Sequence, residues 1–151
     1  PLPFSLTRRP NSLVVATRTR SLIPAAIDDA LRLNPPVGSM PRFVPAPVDV
    51  GGVQVPAGQV LGLSSLSALR DETRTANPET FDLHRTDHIE PQMVFGGGAH
   101  RCLGEMLARI ELEEGLAALL ELAPQIELIE APQIFGFSGI RRSTTMTTRI
   151  P

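Results

Sequence analysis

Apolar side chains recur at helical spacing in two stretches of the chain. In the first stretch, residues 22–33, they are Ile23, Ile27, Ala30 and Leu31. This spacing predicts an amphipathic helix with Ser21 as its N-cap and Pro24 in its first turn, where the missing N–H costs nothing. The polar face of this helix carries Asp28 and Arg32, whose spacing of four residues predicts an ion pair.

The second stretch, residues 103–121, carries the strongest helical pattern. Its apolar positions begin with Leu103, Met106, Leu107 and Ile110. Glu105 and Arg109 are placed to pair on the polar side of this predicted helix. Gly115 is an unfavourable residue inside a helix, so we expect it to mark a point of close packing.

Between the two helices the pattern changes to short runs of valine. Residues 42–64 are predicted to form a small sheet, with Gly51 and Gly52 as a tight turn. Residues 126–130 and 143–150 also resemble strands. Residues 70–94 are polar and irregular, and a loop of this length is usually functional or is held by other parts of the molecule. The fold class is therefore α+β.

Composition excludes several classes of function. The chain has 151 residues, a formal net charge of −2 and one cysteine. This length predicts one domain, and the near-neutral charge does not favour nucleic acid as a partner. No apolar run reaches the length of a membrane span, so no membrane partner is expected. A single cysteine cannot form an internal disulfide, which favours a cytoplasmic location.

Cys102 is the strongest candidate for chemistry. Glycines at 96–98 precede it, His100 and Arg101 adjoin it, and the predicted helix 103–121 follows. The helix dipole and nearby positive charge favour a thiolate, which is the form of cysteine that binds metals. One thiolate without a cluster of Cys or His does not suit structural zinc, but it suits one axial position of haem. On position alone, a small buried apolar side chain or part of a phosphate-binding loop are alternatives.

Residues 95–104 resemble the haem-binding signature of the cytochrome P450 family. The positions that match its fixed residues are Phe95, Gly98, His100, Cys102 and Gly104. The resemblance implies that Cys102 is the proximal ligand of the iron in haem b and that Phe95 packs near its sulfur. It also implies that His100, rather than Arg101, binds a haem propionate.

The resemblance extends upstream of this loop. Asp29 and Arg32 fall where the family has its Glu-x-x-Arg pair, and Arg42 falls at a propionate-binding arginine. Gln92 occupies a position where many bacterial members have a propionate-binding histidine, and it can still donate a hydrogen bond. Asp29 is shorter than the family's glutamate, and Thr80 stands where we expect the arginine that completes a structural triad. The sequence thus predicts two of the three triad members.

The family activates oxygen with an acid–alcohol pair on a long helix over the distal haem face. Nothing in this sequence resembles that helix, so we predict no catalytic residue. We expect residues 1–151 to be the C-terminal part of a bacterial-type P450 domain whose N-terminal part is absent. The fold would be an α+β fragment of a mainly α architecture, forming the proximal half of the haem pocket with a small β region.

The resemblance implies a haem-thiolate monooxygenase, which inserts one oxygen atom from O₂ into a small organic substrate. A ferredoxin- or flavin-type donor would supply the electrons, and the basic residues near His100 and Arg101 are candidates for receiving it. Four hypotheses follow: an incomplete chain that is inactive alone, an enzyme completed by another chain, a non-catalytic haem-binding module, or a degenerate domain that mediates protein contacts.

Overall fold

The computed structural model describes residues 19–87, 93–136 and 139–150. Its helices are α1 (Ile23–Leu33), α2 (Ser65–Ala68) and α3 (Glu105–Leu122), with 3-10 turns at Arg20–Leu22 and Gly98–His100. Its strands are β1 (Val37–Phe43), β2 (Val48–Val50), β3 (Val53–Val55), β4 (Val60–Ser64), β5 (Glu127–Glu130), β6 (Ile134–Phe135), β7 (Gly139–Ile140), β8 (Arg142–Ser143) and β9 (Thr147–Arg149). Helices and small antiparallel sheets together confirm the predicted α+β class.

Helix α1 matches the predicted stretch, but it begins differently. Pro24 lies in the first turn, as expected. Leu22 rather than Ser21 occupies the N-cap, and no side chain caps the helix there, because a 3-10 turn leads directly into it. The prediction of a Ser21 cap is therefore wrong. A serine does cap the short helix α2, where the Ser64 hydroxyl accepts a hydrogen bond from the N–H of Ser67 at 3.2 Å.

The largest sheet has the strand order β4-β1-β7, and both pairs are antiparallel. Strands β2 and β3 form a separate hairpin. Its turn consists of Gly51 and Gly52, with φ angles of +60° and +86°. Two successive positive φ angles are typical of the tight hairpin turns that favour glycine, so the predicted turn is confirmed.

The C-terminal region forms two further antiparallel pairs, β5 with β9 and β6 with β8. The prediction of one strand over residues 143–150 is wrong, because β8 ends at Ser143 and β9 begins at Thr147. Between them Thr144 bonds twice to Gln133: its hydroxyl accepts from the Gln133 N–H, and its own N–H donates to the Gln133 carbonyl. These bonds continue the register of the β6–β8 pair by one residue, whereas β9 pairs with β5 instead.

Helix α1 is the centre of packing. One face contacts Leu120 of α3 through Ile23 and Ile27. Ala26 and Leu33 of α1 pack against Phe81 and Leu83. The two predicted amphipathic helices are therefore buried unequally, since α1 buries residues on both sides and α3 buries Leu120 alone among its described side chains.

An apolar groove of about 400 Å³ separates α1 from α3. Gly115 lies on this groove, and a Cβ built there would meet no atom within 4 Å. The expectation that Gly115 marks close packing is therefore wrong. Over the described parts of the chain, no helix combines the length and apolar character that crossing a bilayer demands.

Candidate functional site

A buried cluster of charged side chains joins α1 to the polar segment that follows α2, and its first two members are both on α1. Asp29 is fully buried, and its Oδ1 accepts a hydrogen bond from Nε of Arg32 at 2.6 Å. The predicted Asp28–Arg32 pair is wrong, because Asp28 pairs with Arg109 instead. Asp29 is one methylene shorter than glutamate, yet it reaches Arg32 within a single turn of the helix.

Arg85 is the third member of this cluster. Its Nε lies 3.0 Å from Oδ1 of Asp29, and its side chain is 3% exposed. The expectation that Thr80 leaves the triad incomplete is wrong, because an arginine five residues later takes the position. Thr80 contributes its carbonyl oxygen, which accepts hydrogen bonds from both Arg32 and Arg85.

The pattern of burial shows how the sequence could have identified Arg85. Phe81, Leu83 and Arg85 are buried, whereas the residues between them, Asp82 and His84, are exposed. This alternation is that of an extended segment with one face toward the core. An arginine that continues an apolar alternation needs an internal anion, and Asp29 supplies it.

The two buried arginines also hold the long polar segment in place. Arg32 donates to the carbonyl of Pro78 at 2.5 Å, and Arg85 donates to the carbonyl of Ala76 at 2.8 Å. The Asp82 N–H in turn donates to Oδ2 of Asp29 at 2.7 Å. Backbone groups that lack a helix or sheet partner are thus satisfied by side chains, as buried polar groups require.

The glycine-rich loop precedes the N-terminal end of α3, whereas the buried Leu120 lies near the other end of this helix. Gly96 and Gly98 have φ angles of +79° and +72°, which a residue with a Cβ rarely adopts. The loop closes when the N–H of Cys102 donates to the carbonyl of Phe95 at 2.9 Å. Cys102 is therefore held at the end of the loop by a backbone bond to the first residue of the motif.

The thiol of Cys102 is exposed, and α3 begins three residues after it, at Glu105. A Cβ built on Gly104 would lie 3.9 Å from the cysteine Sγ, which is ordinary contact distance. Cys102 also lines a shallow hollow of about 310 Å³ with Met106 and Arg109. The sulfur is thus accessible to a large ligand.

The single sulfur donor of Cys102 suits a metal whose other ligands come from a cofactor rather than from the protein. Within the described ranges, no group of three or more His, Cys, Asp or Glu side chains is placed to hold an ion. A porphyrin supplies four nitrogens and needs one axial donor from the protein. The apolar side chains near the sulfur are available to contact a ligand, since Leu103 is fully exposed and Met106 is 75% exposed. A cysteine sulfur next to uncovered apolar surface fits haem.

A second charge cluster lies at the start of α3. Glu105 accepts hydrogen bonds from Arg101 at 2.6 and 2.9 Å and from Arg109 at 3.3 Å, which confirms the predicted Glu105–Arg109 pair. The bonds from Arg101, with those from Arg109, hold the pKa of Glu105 below its usual value despite partial burial. Burial opposes the charge of Arg109, but its pairs with Asp28 and Glu105 prevail and raise the pKa of its guanidinium.

Two of the predicted propionate-binding residues, His100 and Arg42, lie in the part of the chain that the structure describes. His100 is exposed on the 3-10 turn of the loop. Arg42 is exposed on β1, where its Nη1 donates to the carbonyl of Pro41 at 2.9 Å. Gln92 lies outside the described residues. Their roles toward a propionate therefore stay predictions.

The family model for cytochrome P450 matches residues 17–122. The plant-inducible cytochrome P450-pinF1 of Rhizobium radiobacter is 44% identical over 132 residues, which are 87% of this chain and 31% of that protein. The nocardicin C N-oxygenase of Nocardia uniformis subsp. tsuyamanensis is 36% identical over 86% of this chain and 33% of its own length. The chain thus spans about a third of the curated relatives it matches.

Solved structures show the same likeness. The tirandamycin C-bound P450 monooxygenase TamI superposes with a TM-score of 0.89 at 29% identity, over 98% of this chain and 38% of its own. A P450 from Bacillus megaterium in complex with testosterone gives 0.89 at 29% identity, over 96% of this chain and 40% of its own. The α+β arrangement described above is therefore one part of a larger P450 fold, and the chain belongs to the cytochrome P450 family.

Proposed function

We propose that residues 95–104 bind haem b through the thiolate of Cys102, and that the chain serves in a haem-thiolate monooxygenase. The observation that carries this proposal is the loop itself. It presents an exposed cysteine, closed by a backbone bond to Phe95, immediately before α3. Membership of a family that uses haem with cysteine ligation supports the same assignment.

Haem bound through a thiolate supplies the redox centre at which such enzymes activate O₂. The residues of this chain would hold that group in place. Cys102 would donate the axial sulfur. The positive φ angles of Gly96 and Gly98 let the loop turn sharply before Cys102. His100, Arg42 and Gln92 are proposed to bind the propionates, since each can donate a hydrogen bond.

The chain spans about a third of the length of its relatives, so it would act as one part of a larger domain. Residues 1–151 are proposed to form the C-terminal, proximal part of a P450 domain, with the loop at 95–104 and the helix after it as its haem-binding elements. Oxidation of a small organic substrate would be an activity of the whole domain. Two relatives act as an epoxidase and an N-oxygenase by name, so the class of reaction is proposed without a particular substrate.

The electron donor is proposed to be a ferredoxin or a flavoprotein that approaches the surface near the loop. Arg101 and Arg109 lie on this surface, but Glu105 and Asp28 pair with them. Much of their charge is therefore satisfied within the chain. Long-range attraction of an acidic donor by these two arginines would be weaker than their number suggests.

The test is spectroscopic. The 151-residue chain is mixed with haemin, reduced and exposed to CO, and Cys102→Ser is treated in the same way. Thiolate ligation predicts a strongly red-shifted Soret band in the wild type and its loss in Cys102→Ser. His84→Ala is the matched control, because this exposed histidine lies outside residues 95–104, and it should leave the band unchanged.

Identical spectra for the wild type and Cys102→Ser would contradict the assignment of the ligand. A red-shifted band without product formation, measured with a surrogate redox partner, would separate haem binding from turnover. That result would favour the incomplete chain or the non-catalytic haem-binding module over a self-sufficient enzyme.

A further inference from the structure

Arg109 contacts three separate parts of the molecule. Its Nη1 donates to Oδ1 of Asp28 on α1 at 2.7 Å, and its Nε donates to Oε1 of Glu105 on α3 at 3.3 Å. Its guanidinium carbon lies 5.4 Å from the centre of the Phe95 ring. This distance is within the range of a cation–π interaction, in which a cation is attracted to the face of an aromatic ring.

Phe95 connects these contacts to the cysteine. Its carbonyl accepts the N–H of Cys102 at 2.9 Å, so the residue whose ring contacts Arg109 also closes the loop around the sulfur. The glycines between them bring few other contacts, since a Cβ built on Gly96, Gly97 or Gly98 would meet no atom within 4 Å. A loop with so little packing depends on the few interactions that it makes.

We infer that Arg109 is a positioning residue that fastens the cysteine loop to α1. Asp28 fixes the guanidinium, the guanidinium fixes the Phe95 ring, and the Phe95 carbonyl fixes the backbone of Cys102. The consequence for haem ligation rests on the proposed function. The consequence for the loop backbone does not, because every contact in this series lies within the chain.

Arginine suits this role better than lysine. Its planar guanidinium donates to two carboxylates through different nitrogens while its face stays available to an aromatic ring. A lysine ammonium has one position and cannot occupy both sites at once. Arg109→Lys should therefore keep the attraction to Asp28 and lose the simultaneous contact with Phe95.

The chain provides a matched control in another ion pair that involves α3. Arg20 donates two hydrogen bonds to Glu114 of α3, at 2.8 and 2.7 Å, so it too pairs with a carboxylate far away in sequence. Both side chains are more than 60% exposed, at 68% and 64%. Arg20→Gln removes a comparable charge pair without touching the proposed positioning contacts.

The first measurement is hydrogen–deuterium exchange at the Cys102 amide in the haem-free full chain. Loss of the cation–π contact and its ion pair in Arg109→Gln should speed this exchange by about tenfold. Asp28→Asn should speed the exchange less than Arg109→Gln does, and the rate in Arg109→Lys should lie between the rates in these two variants. Arg20→Gln should leave the exchange unchanged. If Arg109→Gln unfolds globally, with all peptides exchanging together, the exchange rates of Arg109→Lys and Asp28→Asn test the positioning role.

The second measurement uses the haem-loaded chain. Arg109→Gln should convert part of the ferrous–CO band from the thiolate position to a blue-shifted one, whereas Arg20→Gln should not. Unchanged exchange at Cys102 in Arg109→Lys and Asp28→Asn would overturn the positioning role, even if the thiolate band is normal. Faster exchange without any thiolate band would support the positioning role and contradict the proposed function instead.

Discussion

Two charge clusters in this molecule have the same arrangement of charges but differ in how far they are buried. In each, one carboxylate bridges two arginines: Asp29 bridges Arg32 and Arg85, and Glu105 bridges Arg101 and Arg109. The side chains of the first cluster are at most 3% exposed, whereas those of the second are between 13% and 42% exposed.

The difference in burial changes what each cluster does. Around Asp29 the charges have left water, so each depends on its partners and none can be removed cheaply. Around Glu105 water can replace a lost partner, so the pairs adjust at small cost. The buried cluster therefore maintains the fold, while the exposed one can influence the cysteine loop without holding the chain together.

The largest effect is expected at Asp29. Asp29→Asn keeps the shape of the side chain but leaves the buried Arg32 without its anion and takes one of two carboxylate partners from Arg85, which keeps Asp87. This loss should cost about 3–5 kcal/mol of unfolding free energy. Urea unfolding followed by far-ultraviolet circular dichroism measures this, since the chain has no Trp or Tyr. Glu114→Gln, in an exposed pair, is the control and should change stability by less than about 1 kcal/mol. Equal effects of the two variants would remove the distinction between buried and exposed carboxylates.

The next effect separates Arg85 from Thr80. Arg85→Met leaves Asp29 with one arginine and removes the side-chain donor to the carbonyl of Ala76, so it should destabilise by about 3 kcal/mol. Thr80→Ala should change stability by less than about 0.5 kcal/mol, because Thr80 serves through its backbone carbonyl. Thermal unfolding of both variants checks this, and a larger loss in Thr80→Ala would return the third position of the triad to Thr80.

The smallest effect concerns pH and the exposed cluster. The pKa of Glu105 is lowered in the folded chain, from the ordinary value of 4.5, by the hydrogen bonds from Arg101 and Arg109. A lowered folded pKa means that its stabilisation is present above pH 4.5 and is lost as pH falls through the folded value. Glu105→Gln should therefore lose part of this acid sensitivity, measured as the unfolding midpoint between pH 3 and 6. An acid profile identical to the wild type would show that Glu105 does not contribute.

Local pattern was sufficient for much of the fold. The stripe of Ile23, Ile27 and Leu31 predicts α1, and the paired glycines predict the β2–β3 turn, because both depend on residues that are close in sequence. The same reasoning failed where a partner was distant. Asp28 and Arg32 have the correct spacing to pair, yet Arg109, which is 81 residues away from Asp28, is the partner.

Apolar periodicity also predicted α3, but it did not predict what covers the helix. Leu103, Met106, Leu107 and Ile110 lie at helical spacing and are all more than half exposed. Periodicity reports which side chains share a face, whereas burial depends on what packs against that face. The groove between α1 and α3 is apolar for the same reason, since neither helix covers all of the other's apolar side.

The sequence by itself determined the motif around Cys102 and, through it, the family, because the signature is a set of residues at fixed short spacing. It also determined α1, α3 and the glycine turns, whose causes are local. Tertiary structure decided that Arg85 completes the buried cluster and that Arg109 reaches Asp28 and Phe95. Charge pairing over long separations depends on which segments the fold brings together. A local pattern such as the alternation at residues 81–85 can indicate that an arginine is buried, but not which carboxylate it meets.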